Sequence, residues 1–193
     1  MNPLNNNSKI MQDLIAYGGS IREQQILKWF LRMYKKLFDV KKEKFNRVLP
    51  LGDYFVDRWE KAKSLGFGEG SNIYDNVLVI GDVKVGNDTW IGPNVILDGS
   101  GELEIGSHCS ISAGVQIYSH DSIDWSISGG SKPYKYAKTI IEDNCYIAPN
   151  TIISKGVTIG KGSTIGANSF VNKDIPAHTK LWGNPSKPQE SNI

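Results

Sequence analysis

Covalent and metal scaffolding are scarce in this sequence. Only two cysteines, Cys109 and Cys145, occur in 193 residues, too few for a disulfide framework or a zinc cluster. Lys plus Arg number 22 and Asp plus Glu 20, a net charge of +2, so no global field draws the chain to nucleic acid. No apolar run approaches the ~18 residues that a membrane span needs. The start, Met1 to Asn7, lacks both a basic stretch and an apolar stretch, which argues against a secretory leader and makes the cytoplasm the expected compartment. With 39% hydrophobic and 22% charged residues, the composition is that of a globular protein with room for one core and a small appendage.

The appendage is helical. Leu27, Phe30, Leu31, Tyr34, Leu37 and Phe38 recur at three- and four-residue spacing, which predicts a helix from about Ile21 to Asp39. A second helix is expected from Asp53 to Ser64, with Phe55, Trp59 and Ala62 on one face. From Arg22 to Arg47 there are nine Lys or Arg against three acids. A basic membrane-surface or partner-binding element is one reading; a solvated helix face is the preferred one.

Beyond residue 70 the period changes to six. Val79, Val85, Ile91 and Leu97, then Ile105, Ile111 and Ile117, then Ile141, Ile147, Ile153, Ile159, Ile165 and Val171 mark the beat. A small residue often follows each, as at Gly86, Gly92, Gly106, Ala148, Gly160 and Gly166. Neither a 3.6-residue helix nor a simple meander has this period; a parallel β-helix of hexapeptide repeats does. Each inward aliphatic contributes roughly 1.5 to 3 kcal/mol by burial, so these positions constitute the core. The expected division is a helical segment over 1–70, a β-helix over 71–178, and a C-terminal turn and polar tail over 179–193.

Two interruptions punctuate the beat. Gly99-Ser100-Gly101 carries a two-residue insertion expected to bulge at a corner. Residues 121–138 interrupt one coil, since their removal joins His120 to Thr139 in register; they form an extruded loop. With both corrected, Val85, Ile105, Ile141 and Ile159 stack in one column, Ile91, Ile111, Ile147 and Ile165 in a second, and Val79, Leu97, Ile117, Ile153 and Val171 in a third. Cys109 then lies beside Cys145, about 4.8 Å away across a strand pair, as a reduced core residue.

A β-helix interior is solid, so chemistry belongs on its outside. His120 stands where the loop leaves the coil, and its imidazole suits proton abstraction near neutral pH. Position alone leaves open whether it is a base or only ties down the loop; Trp125, Tyr134 and Tyr136 could roof a substrate beside it. His108 falls on a solvent-facing turn and His178 beyond the last expected coil, so no three histidines converge and no metal is expected.

The stretch from about Asp75 to Lys187 resembles the hexapeptide-repeat acyltransferases, particularly the maltose, galactoside and surface-polysaccharide acetyltransferases. The resemblance is carried by Gln116-Ile117-Tyr118-Ser119-His120-Asp121, by Ile141 to Asn150, by Ile165 to Pro176, and by Gly183-Asn184-Pro185-Ser186-Lys187. It implies a left-handed β-helix assembled as a homotrimer, with acetyl-CoA as co-substrate in the groove between prisms. It implies His120 as general base, and Ala148, Gly166, Ala167, Asn172 and Lys173 along the CoA, with Lys173 near its phosphates. Asp98 matches an acid that touches the acceptor sugar, and Asp121 and Trp125 in the loop fall on the acceptor side. The activity implied is acetyl transfer to a sugar hydroxyl in bacterial surface-polysaccharide biosynthesis. The rivals are N-acylation of a nucleotide-linked amino sugar and a non-catalytic trimeric assembly module. Ala148-Pro149-Asn150 departs from a commoner glycine-rich run, and no arginine follows Lys187.

Overall fold

The computed structural model describes residues 9–184 and 187–188. The chain forms two compact units, the first ending at Phe55 and the second beginning at Val56.

The first unit is helical: α1 (Lys9–Ala16), α2 (Ile21–Phe45) and α3 (Gly52–Phe55). Ser20 starts α2 with a capping box, its hydroxyl accepting from the Glu23 N–H while the Glu23 carboxylate accepts from the Ser20 N–H. The helix runs six residues past its expected end. Val40 to Phe45 contains good helix formers, and Lys42 and Lys44 suit the negative end of the helix dipole. Asn46 then closes it in the left-handed conformation at φ 50°. Phe30 stacks on Phe55 at 5.9 Å, and the Tyr34 ring meets Tyr54 edge-on at 5.3 Å.

The single helix expected from Asp53 to Ser64 is two. Asp57 is extended, and its carboxylate caps α4 (Arg58–Ser64) by accepting from the N–H groups of Trp59 and Glu60, which breaks the chain between α3 and α4. α4 belongs with the second unit, where Lys61 Nζ donates to the carbonyls of Tyr74 and Asp75 at 3.1 and 2.7 Å.

From Asn72 the chain winds into a parallel β-helix with the columns read from the sequence. Parallel pairing matches Val85 with Ile105, Ile105 with Ile141 and Ile141 with Ile159. Ile91, Ile111, Ile147 and Ile165 form the second column, and Val79, Leu97, Ile117, Ile153 and Val171 the third. The second column is longer than the beat suggests, with Ile73 below and Leu181 above. Strands Leu78–Val85 and Ile96–Ile105 run through the corner that follows the third column, so two of the faces form one sheet. The register shifts between Gly81 and Val83, opposite the Gly99-Ser100-Gly101 insertion.

Corner positions explain the rest of the repeat. Asp88, Asn94, His108, Asn144, Asn150 and Asn168 turn the chain with φ between 51° and 59°, a region that Asn and Asp tolerate. A ladder of small polar side chains precedes the second column. The Ser71, Thr89, Cys109, Cys145 and Ser163 side chains each donate to a carbonyl one coil on. The cysteines are free and buried, and the hydrogen bond with Cys145 followed by burial pushes the Cys109 thiol up, so it stays protonated.

One coil was hidden in the sequence. Ile175 bridges Ile159, and Lys180–Trp182 pairs with Thr164–Ile165, so the winding passes the expected boundary at residue 178. The step from Val171 to Ile175 is four positions, which breaks the beat of six. Gly166 lets this coil approach, because a Cβ there would lie 2.6 Å from Trp182 Cβ. Of the expected polar tail, Lys187–Pro188 pairs antiparallel with Leu181–Trp182, while residues 185–186 and 189–193 lie outside the described residues. Among the described residues no helix is long and apolar enough to cross a membrane.

Ile147 sits mid-column at 0% exposure, whereas its neighbour Tyr146 faces out at 44%. Ile147→Ala should therefore cost about 2 to 5 kcal/mol in urea unfolding and Tyr146→Ala under ~1 kcal/mol; equal losses would contradict the inward assignment.

Candidate active site

The corner that carries the two-residue insertion also carries His120. Leu97 pairs with Ile117, so Asp98, one residue past the inward position, lies one coil from Tyr118 and within reach of His120. The insertion turns Ser100 back onto Asp98: its N–H and hydroxyl donate to Asp98 Oδ1 at 3.0 and 2.6 Å. Asp98 Oδ2 accepts from the Ser119 N–H at 3.1 Å and meets His120 Nδ1 at 2.5 Å. Burial raises the Asp98 carboxyl, but the hydrogen bonds from Ser100, Ser119 and His120 outweigh it and hold the group below the ordinary carboxylate range.

An ionised carboxylate only accepts hydrogen bonds. Nδ1 of the neutral imidazole therefore carries the proton, and Nε2 keeps a free lone pair. The Asp98 side chain is 1% exposed and that of His120 30%, so the acid is sealed beneath a partly open base.

The extruded loop is more ordered than its sequence suggests. His120–Asp121 pairs antiparallel with Lys135–Tyr136, closing the neck as a two-stranded ribbon, and the short helix α5 (Ile123–Ile127) lies inside. Asp121 accepts from the Ile123 N–H and pairs with Lys155 on the next coil at 3.2 Å. Lys135 pairs with Asp124 at 2.7 Å. The rings of Tyr134 and Tyr136 stack near His120, at 6.3 and 6.0 Å between centroids, and Trp125 meets Tyr134 edge-on at 5.5 Å.

The structure places each of the expected site residues. Asp98 is buried, and both its oxygens are engaged by Ser100, Ser119 and His120. Asp121 is engaged in fastening the loop. Trp125 is exposed at 44%, at the outer end of the aromatic group. Asn172 and Lys173 are exposed on the same edge as His120, two coils on, since Tyr118 donates to Ile153 and Ser154 to Val171. Ala148, Gly166 and Ala167 occupy a different edge, after the second column. There the Ala148 N–H donates to the Ile165 carbonyl and the Gly166 N–H to the Leu181 carbonyl. Among the described residues no three His, Cys, Asp or Glu stand where they could hold a metal ion.

Ser100 and Ser119 carry no motif of their own in the sequence; the coil register that sets Cys109 beside Cys145 also sets Asp98 beside Tyr118, which is the one sequence signal for this corner.

Residues 138–173 match the family model described as bacterial transferase hexapeptide (six repeats). No curated protein matches the chain. A solved hexapeptide-repeat-containing acetyltransferase of Vibrio cholerae O1 biovar eltor, complexed with acetyl coenzyme A, aligns with TM-score 0.63 and 23% identity over 98% of this chain and 92% of that one. AntD, an N-acyltransferase from Bacillus cereus solved with dTDP and 3-hydroxybutyryl-CoA, aligns with TM-score 0.59 and 23% identity over 66% of this chain and 72% of that one. An AntD mutant complexed with dTDP-4-amino-4,6-dideoxyglucose and coenzyme A aligns with TM-score 0.58 and 20% identity, covering 69% and 88%. The hexapeptide-repeat β-helix is thus shared with acyltransferases, as the sequence resemblance implied.

The buried carboxylate yields a stability prediction. Its folded-state pKa is lowered, so its contribution is fully present above the unfolded value, ~3.9, and is lost as pH falls through the folded value. In Asp98→Asn the amide NH₂ would oppose the N–H donors, costing about 1 to 3 kcal/mol at pH 7. The difference from wild type in urea unfolding should shrink below about pH 4; a difference constant down to pH 3 would show that the ionised group is not what holds the corner.

Proposed function

We propose that this protein is an acetyl-CoA-dependent acyltransferase that acetylates a sugar hydroxyl, with His120 as general base. The observation that carries the reading is the buried Asp98 holding Nδ1 of a half-open imidazole beside the loop aromatics. In the reaction, Nε2 takes the proton of the acceptor hydroxyl as its oxygen attacks the thioester carbonyl carbon. The tetrahedral intermediate then collapses, the C–S bond breaks, and the imidazolium returns its proton to the departing CoA sulfur. The products are the sugar ester and free CoA, and the base is restored. Asp98 orients the ring and balances the imidazolium charge, as carboxylates do in other acyl-transfer sites.

The acting unit in this reading is a homotrimer. Two observations support it. Leu78, Ile96, Ile152 and Phe170 align with Gln116 as an outward column on one sheet face, with Leu78 52% and Ile152 37% exposed, an apolar strip suited to burial by another copy. His120 and the Ala148, Gly166 and Ala167 edge also stand on different edges of one prism, so a groove containing both needs two copies. In that groove Lys173 would meet the CoA phosphates and Asn172 its pantetheine end. The cellular setting of the reading is cytoplasmic synthesis of a surface polysaccharide.

A second reading has its own support. The AntD structure with a dTDP-linked amino sugar makes N-acylation of a nucleotide-linked amino sugar the alternative, since the same base serves a neutral amine. A non-catalytic trimeric module is the remaining alternative.

Free-thiol release from acetyl-CoA, measured against simple glycosides and nucleotide-linked amino sugars, tests all three. Turnover with a glycoside is expected, and His120→Ala should lower kcat by about 10² to 10⁴ with the oligomer intact. Turnover with the amino sugar alone selects the alternative acceptor. Unchanged turnover in the variant would remove His120 from the chemistry, and no turnover with either class would leave the assembly module.

A further inference from the structure

We propose that the N-terminal unit is a membrane-surface element that lays the exposed face of α2 on an anionic lipid bilayer. Charge is divided unevenly along the chain. Residues 1–55 carry ten Lys and Arg against five Asp and Glu, a net +5, whereas residues 56–193 carry twelve against fifteen, a net −3. The positive charge is thus concentrated in one compact unit of a nearly neutral protein.

The arrangement of that charge on α2 is specific. Phe30 and Tyr34 turn toward the aromatic rings of α3. An adjoining arc of the helix, at three- and four-residue spacing, is Arg22, Ile26, Trp29, Arg32, Lys36 and Val40, all exposed. Ile26 is 56%, Trp29 61% and Val40 46% exposed, and no residue of the 25-residue helix is buried. Of the Lys and Arg on α2, only Lys35 has a carboxylate partner among the described residues, Asp39 at 2.5 Å.

Cations with no carboxylate partner among the described residues, interleaved with an indole and branched aliphatics, match a bilayer interface from both sides. The cations meet anionic headgroups, the indole sits at the headgroup boundary, and the aliphatics reach the acyl region. A duplex nucleic acid would use the cations but leave Ile26, Trp29 and Val40 in water. A purely solvated face accounts for the cations but not for the apolar residues between them. Among the described residues no helix is long and apolar enough to cross a membrane, and the proposed contact is one that lies on the surface.

The experiment is co-sedimentation of the full chain with vesicles of phosphatidylcholine alone and of phosphatidylcholine mixed with phosphatidylglycerol. Binding should require phosphatidylglycerol and weaken with added salt. Arg32→Gln with Lys36→Gln should weaken it about 25-fold, at about fivefold per cation, and Trp29→Ser should weaken it at unchanged charge. These positions are exposed, so the variants should keep the wild-type melting temperature. No binding to the mixed vesicles, or equal binding by wild type and variants, would overturn the proposal. So would retention on duplex DNA without vesicle binding, or a smaller oligomer for Trp29→Ser without vesicle binding, which would assign the face to another copy of the chain.

Discussion

A coil of this β-helix can bury its inward side chains only against the coils above and below it. Each turn presents one branched aliphatic per face, and none of these is enclosed until a neighbouring turn repeats the same residue type in register. The backbone obeys the same rule, since each strand finds its partners in adjacent coils. Inward and ladder positions therefore repeat the same kinds of residue, while corners have freedom to take insertions and excursions. That freedom is where the chain departs from its repeat: the insertion after Asp98, the long excursion after His120, and the shortened step from Val171 to Ile175.

The corner at Asp98 shows what such freedom can build. Two extra residues would be idle in a turn that only reverses direction. Here they carry Ser100, whose two donors, with the Ser119 N–H, keep a buried carboxylate ionised. Stacking supplies the rest by bringing residues 22 positions apart into contact. The excursion begins on the histidine itself, and its neck is paired, so the imidazole gains aromatic neighbours without losing its anchor on a rigid coil. Rigidity matters to the proposed chemistry, because misplacing a catalytic group by about an ångström can cost ~10²-fold in rate.

Much of this architecture is legible because a period of six has few physical solutions. The columns through Ile105, Ile147 and Ile153 follow from spacing once the two interruptions are removed, and the turn residues Asn144, Asn150 and Asn168 fit the left-handed corner that each repeat needs. Legibility fails where spacing and contact part company. The coil through Ile175 and Leu181 escapes because two residues are missing from its corner. α5 and the ribbon at Lys135–Tyr136 escape because a loop of one short helix and two-residue strands has no periodicity. The contacts of Asp98 with Ser100, Ser119 and His120 escape because they join separate coils at a corner where the repeat is interrupted.

The central claim is that coil stacking holds His120 with its proton on Nδ1, against an ionised Asp98, and its lone pair on Nε2. Nitrogen-15 correlation NMR of the neutral imidazole reads this directly. The account predicts a protonated Nδ1, an unprotonated Nε2, and loss of that preference in Asp98→Asn. A proton on Nε2, or a tautomer mixture indifferent to the substitution, would contradict it.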